Sequence, residues 1–356
     1  MNRNDKLRVL IAGQMPPPVG GQNLNVKRFF NYLNEIEDIE VIHWKMEFTK
    51  NIGSFRKFGI GKLIELAKVI ARLFVIRSKG KIDIILYSTG GPHTVPIIRD
   101  IMLLPLSTLF SKKVWIHFQA AGIAGKIDNM NVVLRKLLML THSYCYGGIA
   151  LTNYGKEDPL SLKMKKVVIL NNGIEDTYDP RLENNNSDSV TILYVGHVCN
   201  DKGVPSLIRA FNKVSRDYKN LSLCIVGECL TPYTEKDLLQ EIQNCHQSLD
   251  VKYLGLKKGA ELSKEFANAD LLVFPSIAPY ESFGLVMIEG MMWGLPIIAS
   301  DWRANKEVLG DEIGGVCYEI KDSHTLALEK SLRECLDQQD LWKNWGEKNR
   351  DPYEEY

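Results

Sequence analysis

No run of 18 or more uncharged apolar residues occurs in the chain, and a helix needs roughly 20 to cross a bilayer, so a spanning helix is not expected. Cysteine is scarce and unpatterned: Cys145, Cys199, Cys224, Cys229, Cys245, Cys317 and Cys335 are an odd number with no Cys-x-x-Cys spacing. That excludes a disulfide framework and fits buried thiols in a reducing, cytoplasmic setting. Asp-x-Asp is missing and no His/Cys cluster has ligand spacing, so no metal is expected. Neither Gly-x-Gly-x-x-Gly nor Gly-x4-Gly-Lys-Ser/Thr is present, which excludes the dinucleotide fingerprint and the common phosphate loop. The polar start Met1-Asn2-Arg3-Asn4-Asp5-Lys6 runs straight into a strand-like segment, with no apolar stretch of the signal-peptide kind.

What is present is material for folding. At 356 residues the chain exceeds what one core usually serves, and two domains are expected. Its 45% hydrophobic and 24% charged residues exclude a disordered chain. The formal net charge of +1 conceals an imbalance: residues 1–180 carry 25 Lys and Arg against 15 Asp and Glu, and residues 181–356 carry 19 against 28. The first half is the one suited to an anionic partner, such as a membrane face or a phosphorylated acceptor.

Short β-branched apolar runs alternate with segments of helical period, a pattern of βαβ units and parallel sheets. Strands are expected at 8–12, 40–44, 82–87, 114–118, 148–151 and 167–170, then at 191–195, 222–226, 251–254, 271–274, 297–299 and 315–318. The polar, aperiodic residues 181–189 read as a linker. The expected fold class is α/β, with two Rossmann-like, doubly wound domains facing a cleft, where ligands sit beyond the carboxyl ends of the strands.

Three strings follow such strand ends. The first is 274–290, Phe-Pro-Ser-Ile-Ala-Pro-Tyr-Glu-Ser-Phe-Gly-Leu-Val-Met-Ile-Glu-Gly, running from strand through loop into helix. Backbone N–H groups at Gly284, Leu285 and Val286 are unpaired at that helix start and, with the helix dipole, suit a phosphate. Phe283 belongs to the same turn. Glu289 lies about 7.5 Å along the axis from Gly284 at roughly 1.5 Å per residue, placed to accept two ribose hydroxyls, while Glu281 in the loop accepts hydroxyls of a sugar. The second string is Gly196-His197-Val198-Cys199-Asn200-Asp201-Lys202-Gly203. Its Lys202 can neutralise a departing diphosphate; a solvated turn lysine is the alternative. The third is Pro16-Pro17-Pro18-Val19-Gly20-Gly21, where Gly20 and Gly21 are expected to supply positive φ and bare N–H groups at a helix start, although a Gly-Gly pair also serves as a mere turn.

Glu281 and Glu289 form a Glu-x7-Glu pair, a spacing common by chance in helical proteins. With Pro275-Ser276 before it and Gly294-Leu295-Pro296 after it, the string resembles the donor-site signature of the retaining, two-Rossmann (GT-B) glycosyltransferases of family 4, the glycogen-synthase-like group 1 enzymes. Pro-Pro-x-x-Gly-Gly resembles that family's first loop, and Asn171-Asn172-Gly173-Ile174 its Asn-Gly-Ile turn ahead of the linker. The resemblance implies a retaining, metal-independent hexosyltransferase that needs no cofactor, with a nucleotide diphosphate sugar as co-substrate. UDP-sugar is favoured over GDP-sugar, and the acceptor is a glycan or lipid-linked glycan. It also implies that 1–182 binds acceptor, 183–340 binds donor, and 341–356 returns toward the first domain. His117, at the end of the fourth strand, matches a family histidine that contacts the sugar. Gln119 is the alternative occupant of that place, and a structural histidine the alternative role. His93 is more readily structural than acceptor-lining. One departure stands out: the family usually has arginine where this chain has His197, an imidazole that stays neutral unless a phosphate raises its pKa.

Residues 50–81 hold nine Lys and Arg and one acid, Glu65, interleaved with apolar residues. Such a basic amphipathic helix suits an anionic membrane surface at the cytoplasmic face, at about 1 kcal/mol per base, or else is an ordinary helix with a solvated basic face. No nucleic-acid partner is expected. A same-fold epimerase or phosphorylase, and a non-catalytic nucleotide-sugar-binding subunit, remain the alternatives.

Overall fold

All twelve apolar runs fold as parallel strands in the computed structural model, which describes residues 6–17, 20–46, 60–182, 189–246, 250–311 and 314–353. The chain divides into two compact units, Met1–Asn172 and Gly173–Tyr356. Residues 183–188 of the expected linker lie outside the described residues.

The N-terminal unit runs β1 (Leu7–Gly13), α1 (Gly21–Asn34), β2 (Ile39–Lys45), α2 (Ile60–Ser78), β3 (Ile84–Ser88), α3 (Thr94–Phe110), β4 (Lys113–Phe118), α4 (Ile123–Ile127), α5 (Val132–Ser143), β5 (Gly147–Ala150), α6 (Glu157–Ser161) and β6 (Val167–Ile169). Its sheet order is β2-β1-β3-β4-β5-β6. The central strands are apolar because helices cover both faces of a parallel sheet; Leu10, Ile85 and Ile116 are fully buried in one core with Leu73 of α2 and Leu103 of α3.

The C-terminal unit runs β7 (Val190–Val195), α7 (Val204–Val214), β8 (Leu221–Val226), α8 (Glu235–Gln243), β9 (Asp250–Gly255), α9 (Ala260–Ala267), β10 (Leu271–Phe274), α10 (Leu285–Met292), β11 (Ile297–Ser300), α11 (Asn305–Leu309), β12 (Gly315–Tyr318), α12 (His324–Leu336) and α13 (Trp342–Tyr353). The order is β12-β11-β10-β7-β8-β9. Helix α7 buries Val204, Leu207, Ile208, Phe211 and Val214, one face at helical spacing, which packs against the sheet.

Helix α13 lies within the segment expected to run back toward the first domain, and it packs on α10 of the C-terminal unit. Asn349, buried on α13, accepts a hydrogen bond from the Gly314 N–H at 2.8 Å and donates to the carbonyls of Leu295 at 2.7 Å and Gly314 at 2.8 Å. The Arg350 guanidinium sits 3.8 Å from the Tyr178 ring centroid, and that ring meets Trp293 edge-on.

Candidate active site

In the C-terminal sheet the chain leaves β7 in two directions: β8 and β9 follow on one side, β10, β11 and β12 on the other. The loops after β7 and β10 therefore leave the carboxyl edge at the point where the strand order reverses, the place where open parallel sheets bind ligands. Both of the strings singled out in this half of the sequence are those loops.

The loop after β7 is fixed at its start by the Gly196 N–H, which donates to the Val226 carbonyl at 3.0 Å, and by the Tyr194 hydroxyl, which donates to the His197 carbonyl at 2.7 Å. A single 3-10 turn, Asn200–Lys202, then delivers the chain to Gly203, whose φ of +76° starts α7. Only glycine fits there: a Cβ would stand 2.1 Å from the Pro275 carbonyl oxygen of the other loop. The Ile277 N–H donates to the Asp201 carbonyl at 2.8 Å. The two loops are thus interlocked through backbone atoms.

Lys202 and Glu281, expected to serve diphosphate and sugar separately, are joined in an ion pair with Nζ–Oε2 of 2.5 Å, their side chains 14% and 10% exposed. Glu281 also accepts from the Ser276 hydroxyl at 2.6 Å. Burial pushes its carboxyl pKa up, but the Lys202 charge and the hydrogen bonds from Lys202, Ser276 and the Gly284 N–H outweigh it and hold the group below the ordinary carboxylate value. The ammonium of Lys202 also lies 5.7 Å from the centroid of the Phe274 ring and 5.8 Å from that of Tyr280, both within cation–π range.

Gly284 adopts φ +63° and ψ +55° to start α10; a Cβ would press on the Met287 Cε at 2.6 Å and on the Phe274 ring at 3.2 Å. The first turn of α10 carries no acidic residue and no side-chain cap, so the N–H groups of Leu285 and Val286 and the positive end of the dipole are left for an anion. Phe283 is buried beneath this turn, and Glu289 is half-buried one turn further along. His197 is half-buried. Burial, reinforced by the nearby Lys202 charge, lowers its pKa against the opposing pull of Glu228 and Glu281, so the imidazole is neutral at pH 7.

The N-terminal unit brings other predicted residues to the carboxyl edge of its own sheet. His117, at the end of β4, is buried; its ring meets Phe29 edge-on at 5.1 Å. Nδ1 lies 3.2 Å from Gln119 Nε2, while Nε2 has no hydrogen-bond partner among the described residues. Burial alone lowers its pKa to about 4. His117 and Gln119, alternatives in the sequence, are therefore neighbours in one arrangement. Gly20 precedes α1 and Gly21 begins it, but neither uses positive φ: Gly20 is extended, with φ −166°, Gly21 is helical, and a Cβ on Gly20 would meet open space. The expected backbone constraint is corrected accordingly. The intervening Pro18 and Val19 lie outside the described residues. His93 is exposed at the start of α3, and the Asn171 amide donates to the Leu151 carbonyl at 3.0 Å. Of the basic stretch 50–81, residues 50–59 lie outside the described residues; Lys68 pairs with Glu65 at 2.7 Å, and an Arg72 guanidinium nitrogen donates to the Lys45 carbonyl at 3.1 Å.

Three groups in the site had no assigned role in the sequence: the Ser276 hydroxyl, and the Phe274 and Tyr280 rings near the lysine. Ser276 stands in the quoted string, but its use depends on a partner five residues away folding back on it. Trp302 supports the same loop, its indole N–H donating to the Ala278 carbonyl at 2.9 Å. Among the described residues no group of three or more His, Cys, Asp or Glu is placed to hold a metal ion, and no helix is long and apolar enough to cross a membrane.

Comparison with known proteins places these loops in context. Residues 177–351 match the family described as "Glycosyl transferases group 1". An uncharacterized glycosyltransferase of Methanocaldococcus jannaschii is 33% identical over 141 residues, covering 39% of this chain and 34% of the relative. A phosphatidyl-myo-inositol mannosyltransferase of Mycolicibacterium smegmatis is 25% identical over 199 residues, 55% of this chain and 50% of that protein. The chain thus spans between a third and a half of the length of these curated relatives. Among solved structures, sucrose-phosphate synthase from Thermosynechococcus elongatus superposes with a TM-score of 0.74 at 18% identity, over 98% of this chain and 94% of that one. An Anabaena protein crystallised with UDP and glucose does so with a TM-score of 0.67 at 16% identity, over 98% and 95%. These likenesses give the fold, the twin-Rossmann GT-B architecture.

Proposed function

We propose that the protein, whose residues 177–351 match the group 1 glycosyl transferases, moves a sugar, with retention at the anomeric carbon, from a nucleotide diphosphate sugar to a hydroxyl of a glycan or lipid-linked glycan. The observation that carries the proposal is the Lys202–Glu281 pair set beside the open first turn of α10 at the switch point of the sheet. In this scheme the bond between the anomeric carbon and the diphosphate oxygen breaks. Lys202 and the N–H groups of Leu285 and Val286 stabilise the negative charge that gathers on the departing diphosphate. Glu281 holds Lys202 in place and presents its carboxylate to the sugar, and Glu289 binds the ribose. His117, neutral and with no Nε2 hydrogen-bond partner among the described residues, is assigned the sugar contact, and the N-terminal unit the acceptor. UDP is the favoured nucleotide, supported by the Anabaena neighbour crystallised with UDP. A lipid-linked acceptor is supported by the phosphatidyl-myo-inositol mannosyltransferase relative.

The test is a release assay across uridine, guanosine and adenosine diphosphate sugars with glycan acceptors, repeated on Glu289→Gln and Lys202→Ala. One donor class is expected to be turned over. Lys202→Ala is expected to lower kcat by about 100-fold or more, and Glu289→Gln to raise the donor KM by about tenfold. Absence of binding to every donor refutes the proposal. Binding without turnover would establish instead a nucleotide-sugar-binding subunit, the reading that His197 in place of the expected arginine favours.

A further inference from the structure

Exposed large apolar side chains are distributed unevenly along this chain. Among the described residues, eighteen lie in the N-terminal unit and four in the C-terminal unit. Half of the first group fall on three neighbouring helices. Helix α5 presents Val133, Leu137 and Leu140, positions i, i+4 and i+7, and Tyr144 at its C-terminal end continues the row; Val133 is 65% and Tyr144 71% exposed. Helix α3 shows Met102 and Leu109, seven residues apart, the latter 72% exposed. Helix α2 shows Ile64, Phe74 and Val75. The three helices are contiguous: α3 packs against both α2 and α5, and Phe74 meets Phe110 ring to ring at 5.1 Å. A helix of a soluble protein normally turns its polar face outward. Here an apolar stripe faces solvent on each of three neighbours, the sign of an interaction surface.

The charges interleaved with these stripes select the partner. Lys68, Arg77 and Lys136 are exposed on the same helices, and Lys79, Lys81, Lys112 and Lys113 are exposed at their ends. Within α2, α3 and α5 the acids are Glu65, paired with Lys68, and Asp100, buried against Arg99 and Tyr87. Residues 1–172 as a whole carry 25 Lys and Arg against 12 Asp and Glu. A second copy of this face would bring like charges together. An anionic bilayer surface satisfies both features at once, taking the apolar tips into the headgroup boundary and the ammonium groups to lipid phosphates.

We propose that the α2–α3–α5 face of the N-terminal unit docks on an anionic lipid surface, with the outer stripe of α5 as its apolar anchor. This extends the basic stretch of α2 to a three-helix face and does not depend on the donor chemistry. The experiment is sedimentation of the full chain with vesicles of phosphatidylcholine alone and of phosphatidylcholine with phosphatidylglycerol, in the absence of any donor sugar. Partition is expected only with phosphatidylglycerol, to fall steeply with salt, and to drop by about tenfold in a Leu137→Glu/Leu140→Glu variant. A Leu239→Glu control, on the C-terminal unit, is expected to leave it unchanged, and circular dichroism of each variant checks folding. The proposal is overturned if phosphatidylglycerol vesicles do not bind the chain, if the α5 variant binds as the parent does, or if the chain sediments as a dimer that this variant dissolves. A chain that binds vesicles but transfers no sugar would sink the transferase proposal and leave this one standing.

Discussion

Lys202 sits at the centre of the residue scale, because it is held by a carboxylate that is itself largely shut off from water. Removing one partner of a buried pair leaves the other uncompensated, typically at a cost of about 3–5 kcal/mol. Lys202→Met is therefore expected to lower stability by an amount in that range, and Glu281→Gln by less, since the Ser276 hydroxyl and Gly284 N–H can still bond a neutral amide; chemical denaturation decides. The pH dependence follows from the same contacts. Glu281 is depressed in the folded state, so its stabilisation is complete above about pH 4.5, the unfolded value, and is lost as pH falls through the lower folded value. Glu281→Gln should flatten that acid limb. The glycines give a sharper contrast. Gly203→Ala combines φ +76° with a 2.1 Å approach to the Pro275 carbonyl, and a loss of about 2 kcal/mol or more is expected. Gly20→Ala, extended and unobstructed, should leave the denaturation midpoint unchanged, so a fall in its activity would mark a ligand pressing on that loop. The placement of Gly284 at a helix start, of Glu289 on that helix and of Lys202 in the loop after β7 was legible in the sequence because each follows a strand end in a recognisable string. The Lys202–Glu281 bond was not, since the residues stand 79 apart and nothing local records their meeting.

At the scale of elements, the twelve strands were legible because buried parallel strands are short, apolar and β-branched, and their ends shifted by only a residue or two. Strand β3 begins at Ile84 rather than at 82, although Ile82 is buried in the core, so burial there ran ahead of pairing. The short helices α4 and α6, five residues each, carry too little period to be seen. Strand order too is absent from local pattern, being set by crossover connections and long-range packing. Helix α13 illustrates what only packing reveals. Its Asn349 bonds three backbone groups of the segments that lead into β11 and β12. Asn349→Ala would leave the Gly314 N–H and the Leu295 carbonyl buried without these bonds, the Gly314 carbonyl keeping the Ile297 N–H, at about 1 kcal/mol or more each; a loss near 2 kcal/mol is expected, read from the denaturant midpoint.

Across the whole molecule, histidine burial sets a common trend. His117, His142, His197 and His324 are all lowered, burial being the first cause in each. The unfolded chain binds these protons more readily than the folded one, so stability is full above about pH 6.5 and declines as pH falls toward the folded values. For His117, with a folded value of about 4, the loss by pH 5 is about 2 kcal/mol. Denaturation at pH 8 and pH 5 should show a gap that narrows by that amount in His117→Asn. The interlock of the two loops bears on how the molecule can vary over generations. Gly203 rests on the Pro275 carbonyl while Ile277 clasps Asp201, so neither loop can gain or lose a residue by itself. Length must drift in both together or in neither, and insertions into this unit belong elsewhere, as at the turn 256–259 after β9, where Gly259 borders open space.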